Sequence, residues 1–238
     1  MGSGGSSARG GSTSSGGSSA SGGSTGSGGS NATGGTLASG GATSSGGSSG
    51  GPVTLFDFAA GDQGWVFNTY QATATNGQIV SPYNLAAPGV LPDAGVALPT
   101  IAADSTVGDP PGSLKIVVTF TGYAQQVNPN YNWATPQDWT NKVVSVRVKV
   151  DPAVPATFTG GGIQLFAQDS TWVGKYQWAD FPTDSDWHTY TLDLTGATSP
   201  DPTNIVQFTV QLSSANTPSA TDFTQTTVTA YIDTITVQ

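Results

Sequence analysis

The sequence predicts an all-β protein, an antiparallel two-sheet β-sandwich of jelly-roll topology preceded by a disordered Gly/Ser linker. Three observations lead there. Short runs alternate apolar and polar residues with period two, as half-buried strands do. No run sustains the 3.6-residue period of an amphipathic helix. Clusters of Gly, Pro, Asn and Asp separate the runs, at a spacing wider than the economical immunoglobulin pattern, which favours a jelly roll.

Residues 1–50 hold 19 Gly and 17 Ser, with Arg9 as the one charged side chain. Such a stretch cannot bury enough apolar surface to offset its ordering entropy. A flexible linker is expected over 1–51, with an r.m.s. end-to-end distance of roughly 40 Å. It would tether a domain at 52–238 to a catalytic domain or a cell-surface anchor.

Val53–Phe58 (VTLFDF) opens the domain, Gly61 and Gly64 mark a turn, and Trp65–Tyr70 extends again. Residues 76–112 carry Pro82, Pro88, Pro92, Pro99, Pro110 and Pro111. Proline disfavours helix and central strand alike, so a long irregular connection is expected, with a short strand at Val96–Leu98. Ser113–Thr121 alternates Leu114, Ile116, Val118 and Phe120 with Lys115, Val117, Thr119 and Thr121. Residues 123–139 read as loop. Lys142–Val150 sets Val144, Val146, Val148 and Val150 against Ser145, Arg147 and Lys149.

Ile163–Gln168 and Trp187–Leu194 follow. Tyr190, Leu192 and Leu194 share a face of the second run, with Trp187 out of register as an anchor of the strand entry. Ile205–Ser213 sets Val206, Phe208, Val210 and Leu212 against Gln207, Thr209, Gln211 and Ser213. Thr226–Val237 closes the chain with Tyr231, Asp233, Ile235 and Val237 on one face. Phe56, Phe58, Trp65, Phe120, Trp187, Phe208 and Tyr231 are the expected aromatic core.

The domain carries all 15 acidic residues, every one an Asp, and five of the six basic ones. Nucleic acid needs a basic footprint and is excluded as a partner; anionic lipid is excluded for the same reason. Without Glu, carboxylate chemistry falls to Asp. Without Cys there is no disulfide staple or thiolate metal site. No apolar run approaches the ~18 residues of a membrane span. Few Lys among much Thr, Ser, Gln, Asn and Gly suits a secreted or cell-surface bacterial protein, expected to be a monomer.

The chemistry concentrates in residues 160–194. Trp172, Tyr176 and Trp178 lie there beside Gln164, Gln168, Asp169 and Lys175. Flat rings can cover the apolar C–H face of a sugar while neighbouring polar groups take its hydroxyls. Arg147, Gln164, Gln168, Gln207 and Gln211 project from strand faces and offer bidentate amide and guanidinium groups. Tyr131 and Trp133 are further stacking candidates. An ordinary solvated sheet face would look similar, usually with more Lys and Glu. Covering ~100 Å² of one Trp face yields at most ~2.5 kcal/mol. Two such platforms and a few hydrogen bonds, less the cost of association, predict affinities of roughly mM to μM.

Two ends of the chain are similar to a known family. LFDFAAGDQGW at 55–65 resembles the opening, and TAYIDTITV at 229–237 the closing strand, of jelly-roll carbohydrate-binding modules from bacterial polysaccharide-degrading enzymes. GSLKIVVTF at 112–120 and DWHTYTLDLTG at 186–196 resemble strands between them. The resemblance covers 53–238 in outline and fixes no ligand. It implies two sheets, glycan binding on a sheet face or its edge loops, and a structural Ca²⁺ near the paired chain ends. Asp57 and Asp233 match the carboxylates that hold that ion, although Ala59 stands where the family has an acidic residue. Calcium takes six to eight oxygens, so carbonyls and water would complete the shell.

His188 is the only histidine, no G-x-S-x-G motif surrounds a serine, and hydrolytic metal sites usually take several His ligands. The sequence is therefore read as a non-catalytic module that binds polysaccharide or oligosaccharide through aromatic stacking and Gln/Arg/Asp hydrogen bonds. Its first rival is a structural or adhesive β-sandwich. The second is a small glycan hydrolase or lyase drawing paired carboxylates from Asp169, Asp180, Asp184 and Asp186.

Overall fold

The computed structural model describes residues 51–67, 83–85, 95–215 and 223–238. The expected linker, except Gly51, and residues 68–70 of the second expected strand lie outside them. The described strands are β1 (Val53–Phe56), β2 (Val66–Phe67), β3 (Tyr83–Leu85), β4 (Thr100–Gly108), β5 (Pro111–Phe120), β6 (Gln125–Val127) and β7 (Pro129–Gln137). They continue as β8 (Val143–Val150), β9 (Gly162–Asp169), β10 (Gly174–Asp180), β11 (Trp187–Asp193), β12 (Ile205–Ser213) and β13 (Thr226–Val237).

The strands form two antiparallel sheets. The first is ordered β11–β8–β13–β5–β4, with β1 pairing the end of β13 at Val237. The second is ordered β10–β9–β12–β6–β3; β7 also lines β12, and β2 pairs with β7. From β5 onward the chain crosses repeatedly between sheets: β5 in the first, β6 and β7 in the second, β8 in the first, β9 and β10 in the second. Then β11, β12 and β13 alternate first, second, first. This is the expected jelly-roll sandwich.

Period-two alternation builds its core. Leu114, Ile116, Val118 and Phe120 of β5 meet Val144, Val146, Val148 and Val150 of β8 and Val228, Ala230, Ile232 and Ile235 of β13 on the inner face of the first sheet. Ile163, Leu165 and Ala167 of β9 and Phe208, Val210 and Leu212 of β12 face them from the second. Each large aliphatic side chain so buried contributes about 1.5–3 kcal/mol. Trp65 and Trp139 meet Phe208 edge-on at 6.3 and 5.7 Å, closing one end.

The structure corrects the expected pattern in several places. Strand β4 lies in the stretch read as an irregular connection, β6 and β7 in the 123–139 loop, and β10 within the aromatic stretch. Residues 96–98 are not a strand. β4 and β10 are edge strands, paired on one side only. They bury little and so carry no clean alternation.

Two bulges also shift the facing of side chains. One, between Ile205 and Gln207, buries Ile205 and leaves Val206 half-exposed. The other, between Ile232 and Ile235, leaves Ile232 and Ile235 inward and Tyr231 outward. Tyr231 therefore lies under Lys115, 5.5 Å from its ammonium, rather than in the core. Trp187 also faces out, 4.9 Å beneath the Arg147 guanidinium.

Candidate functional site

The outer face of the second sheet is where most of the predicted polar and aromatic groups converge. In antiparallel pairing, opposed residues share a face, so the register places side chains in rows across the strands. One row runs Gly174, Gln168, Gln207, Asn132. The next runs Tyr176, Phe166, Thr209, Asn130, Val66. A third takes Trp178, Gln164 and Gln211, and a fourth takes Asp180, Gly162, Ser213 and Gln126.

Exposure across the second row is lowest in its middle, and that covered strip between two exposed edges is called the trough. Exposure falls from 50% at Tyr176 to 6% at Phe166, 0% at Thr209 and 1% at Asn130, and rises to 49% at Val66. The wall at β10 is aromatic. Tyr176 packs on Phe166 with ring centroids 5.3 Å apart. The Trp178 ring lies over Gly162, where even a Cβ would come within 2.7 Å of it, and its Nε1 donates to Asp180 Oδ1 at 3.3 Å.

The floor is a ladder of amides and hydroxyls. Gln207 Nε2 donates to Asn132 Oδ1 at 2.7 Å and Thr209 Oγ1 to Gln207 Oε1 at 3.4 Å. Gln211 Nε2 donates to Asn128 Oδ1 at 2.7 Å and to Gln126 Oε1 at 3.2 Å, and Ser213 Oγ donates to Gln211 Oε1 at 3.0 Å. These bonds fix the floor amides before any ligand arrives, which lowers the ordering cost of binding. Among the described residues of the four rows, Asp180 is the only charged side chain.

The turn between β9 and β10 is pinned by Asp169. Its Oδ1 accepts from Thr171 N, Thr171 Oγ1 and Val173 N, and its Oδ2 from Asp201 N. Burial pushes this carboxyl up, but the four donors outweigh it and hold it below its ordinary value. Trp172 sits on that turn in a left-handed conformation, φ +65°, and is 63% exposed. Its carbonyl accepts from Gln168 Nε2 at 3.2 Å, which ties the turn to the first row.

Other predicted site residues lie elsewhere. Tyr131 and Trp133 alternate with the outward Asn130 and Asn132, so they point inward; Tyr131 is 4.8 Å from Phe56 and Trp133 is 5.2 Å from Trp139. Arg147 is on the outer face of the opposite sheet, with Nη1 2.9 Å from Asp233 Oδ2. Asp233 is buried at that bulge and also accepts from Asp109 N and Thr234 Oγ1. Asp57 Oδ1 accepts from Ala59 N and Gln63 Nε2. The Arg147 guanidinium thus engages Asp233, and Asp57 is engaged within its own turn. Among the described residues no three Asp, Glu, His or Cys side chains gather at metal-binding range.

Asp184, a candidate for acid–base work, bonds His188 Nε2 at 2.7 Å and accepts from Asp186 N, at the entry to β11. The histidine contact, first, and that backbone donor hold its carboxyl below the usual range. Sequence reasoning missed Asn128, Asn130 and Asn132, although NPNYN repeats asparagine at alternate positions. It also missed the outward Phe166, an apolar residue in phase with Gln164 and Gln168.

No protein-family profile and no curated protein matches the sequence. The backbone is similar to solved carbohydrate-binding modules. One is a family 11 module from Clostridium thermocellum in complex with a β-1,3-1,4-mixed-linked tetrasaccharide (12% identity, TM-score 0.49, 80% of this chain and 96% of that one). A second is the xylan-binding module CBM15 (17%, 0.41, 79% and 96%). A third comes from work on carbohydrate-binding modules of the β-sandwich super family (16%, 0.42), where the chain spans about half the other's length, 53%, with 59% of its own.

Proposed function

We propose that this chain binds a neutral polysaccharide in the trough of the second sheet, without catalysis. The observation that carries it is the shared face itself: Tyr176, Phe166 and Trp178 form one wall, and the interlocked amides of Gln207, Gln211, Asn128 and Asn132 form the floor. Rings cover the C–H faces of sugars by hydrophobic contact. Amides supply donors and acceptors in pairs, as sugar hydroxyls require.

Catalysis has little support in the same geometry. Hydrolysis of a glycosidic bond ordinarily uses two carboxyl groups flanking it. Asp180 alone stands on the rows, Asp169 is buried with both oxygens engaged, and Asp184 is held by His188. In this reading the module works outside the cell, and the Gly/Ser segment at 1–51 links it to a partner domain or surface.

The test is native affinity electrophoresis of the full chain through gels containing xylan, glucomannan, mixed-linkage β-glucan or polygalacturonate. Retardation is expected in at least one neutral gel. It should be lost in a folded Tyr176→Ala/Trp178→Ala double variant. Equal mobility of wild type and variant in every gel overturns the proposal.

A further inference from the structure

We propose that Asn130 is the group that reads the ligand, and that it selects sugars presenting two adjacent unsubstituted hydroxyls over the second row. The assignment rests on the glycan-binding reading above and adds the residue that sets its specificity. Asn130 is 1% exposed, yet neither its Oδ1 nor its Nδ2 has a partner. It is the only buried side chain among the described residues with both polar atoms unpaired.

Its position makes the unpaired amide informative. Asn130 opposes Thr209 in the register and lies between the outward Asn128 and Asn132, while its neighbour Tyr131 turns into the core. Its amide therefore faces the trough. Asn128 and Asn132 are engaged by Gln211 and Gln207, which leaves Asn130 as the floor amide with its donor and acceptor both free. It shares a row with the Phe166 and Tyr176 rings, two and three strand spacings away, so about 10 and 14 Å at about 4.8 Å per strand. Both amide atoms are closed to water as they stand, so a glycan stacked on those rings and continuing over Thr209 reaches them by displacing what covers the middle of the row. A carboxamide presents one donor fork and one acceptor side by side. A vicinal diol answers both at once, one hydroxyl donating and the other accepting. A substituent on either oxygen removes the match.

An unpaired buried amide destabilises a fold. A structural asparagine would be missed on removal, whereas one reserved for a ligand would not. Asn130→Leu keeps the branched shape but replaces both polar atoms by bulkier methyl groups, so it is read beside Asn130→Ala, which cannot overpack, to separate the two roles. The measurements are Tm and the dissociation constant from affinity electrophoresis in whichever of mixed-linkage β-glucan, glucomannan or xylan retards the wild type. The expected result for N130L is a Tm at or above wild type, with binding weakened tenfold or more. Wild-type binding by N130L and N130A, or a lower Tm in both, overturns the assignment. Failure of the wild type to be retarded in any gel removes the glycan reading and this assignment with it, and is distinguishable from the case in which both proteins are held equally.

Discussion

At the scale of single residues, two glycines separate backbone constraint from side-chain accommodation on the aromatic wall. A Cβ at Gly162 would meet the Ala179 carbonyl oxygen at 2.2 Å and the Trp178 ring at 2.7 Å. For a Cβ at Gly174 the nearest atoms belong to the Tyr176 side chain, at 2.8 Å, and that side chain is half exposed and free to move. Gly162→Ala must therefore shift a paired strand, at about 1–3 kcal/mol as for other overpacked sites, and it displaces Trp178. We expect a clear drop in Tm with loss of polysaccharide retardation. Gly174→Ala should lower Tm less and chiefly reposition Tyr176. Equal Tm for the two variants contradicts this account. Asp169 gives a pH signature. Its folded pKa lies below its unfolded value, so its stabilisation is complete above about pH 4–5 and is lost as pH falls through the folded value. Thermal melts of wild type and Asp169→Asn should differ most near neutral pH, by about 2–3 kcal/mol for hydrogen bonds to a charged acceptor. They should converge toward pH 2. A constant gap across that range argues against an ionised Asp169.

At the scale of elements, the central strands and the edge strand β11 were legible, and the edge strands β4 and β10 were not. The runs Ile205–Ser213 and Thr226–Val237 emerge at the bounds read from alternation, because a strand flanked on both sides must bury one face consistently. β4 and β10 have one neighbour each. They need no such pattern, and prolines or aromatics around them masked their extension. The site was legible in the same measure. Gln164, Gln168, Gln207 and Gln211 follow from parity alone, whereas the facing of Tyr131 and Trp133 depends on β7, which was read as loop. Arg147 shows the remaining difficulty. Parity correctly put it outside the core, but nothing local says which sheet a strand joins. The structure makes it the partner of Asp233 at the β13 bulge. Removing Arg147 leaves a buried carboxylate without its counter-charge, a loss of several kcal/mol when fully buried. Because the guanidinium is partly solvated, about 2 kcal/mol is expected for Arg147→Ala, seen as a lower denaturation midpoint. Polysaccharide retardation of the folded variant should be unchanged. Weakened binding at unchanged stability would move Arg147 back into the ligand site.

At the scale of the whole molecule, charge and site are segregated. The chain has a net charge of −9, yet the trough is built from amides, hydroxyls and rings. The cations Lys115, Arg147 and Lys149 stand on strands of the opposite sheet, each beside an aspartate. Contacts between a neutral ligand and dipolar groups involve no ion pairing, so they escape the screening that weakens exposed charge pairs beyond about 10 Å at 0.1 M salt. An acidic polymer would meet a molecule of like sign with no basic footprint in its binding face. Retardation in a neutral polysaccharide gel should therefore be the same at 20 mM and 500 mM NaCl. Any weak interaction with polygalacturonate should rise with salt as long-range repulsion is screened. A neutral-gel affinity that falls severalfold with salt would point instead to a charged contact, with Asp180 at the end of the aromatic wall as the first residue to replace. Asp180→Asn then provides the deciding comparison: it keeps an acceptor for Trp178 Nε1 while removing the charge. Salt-independent binding in both proteins would leave the neutral trough as the binding surface.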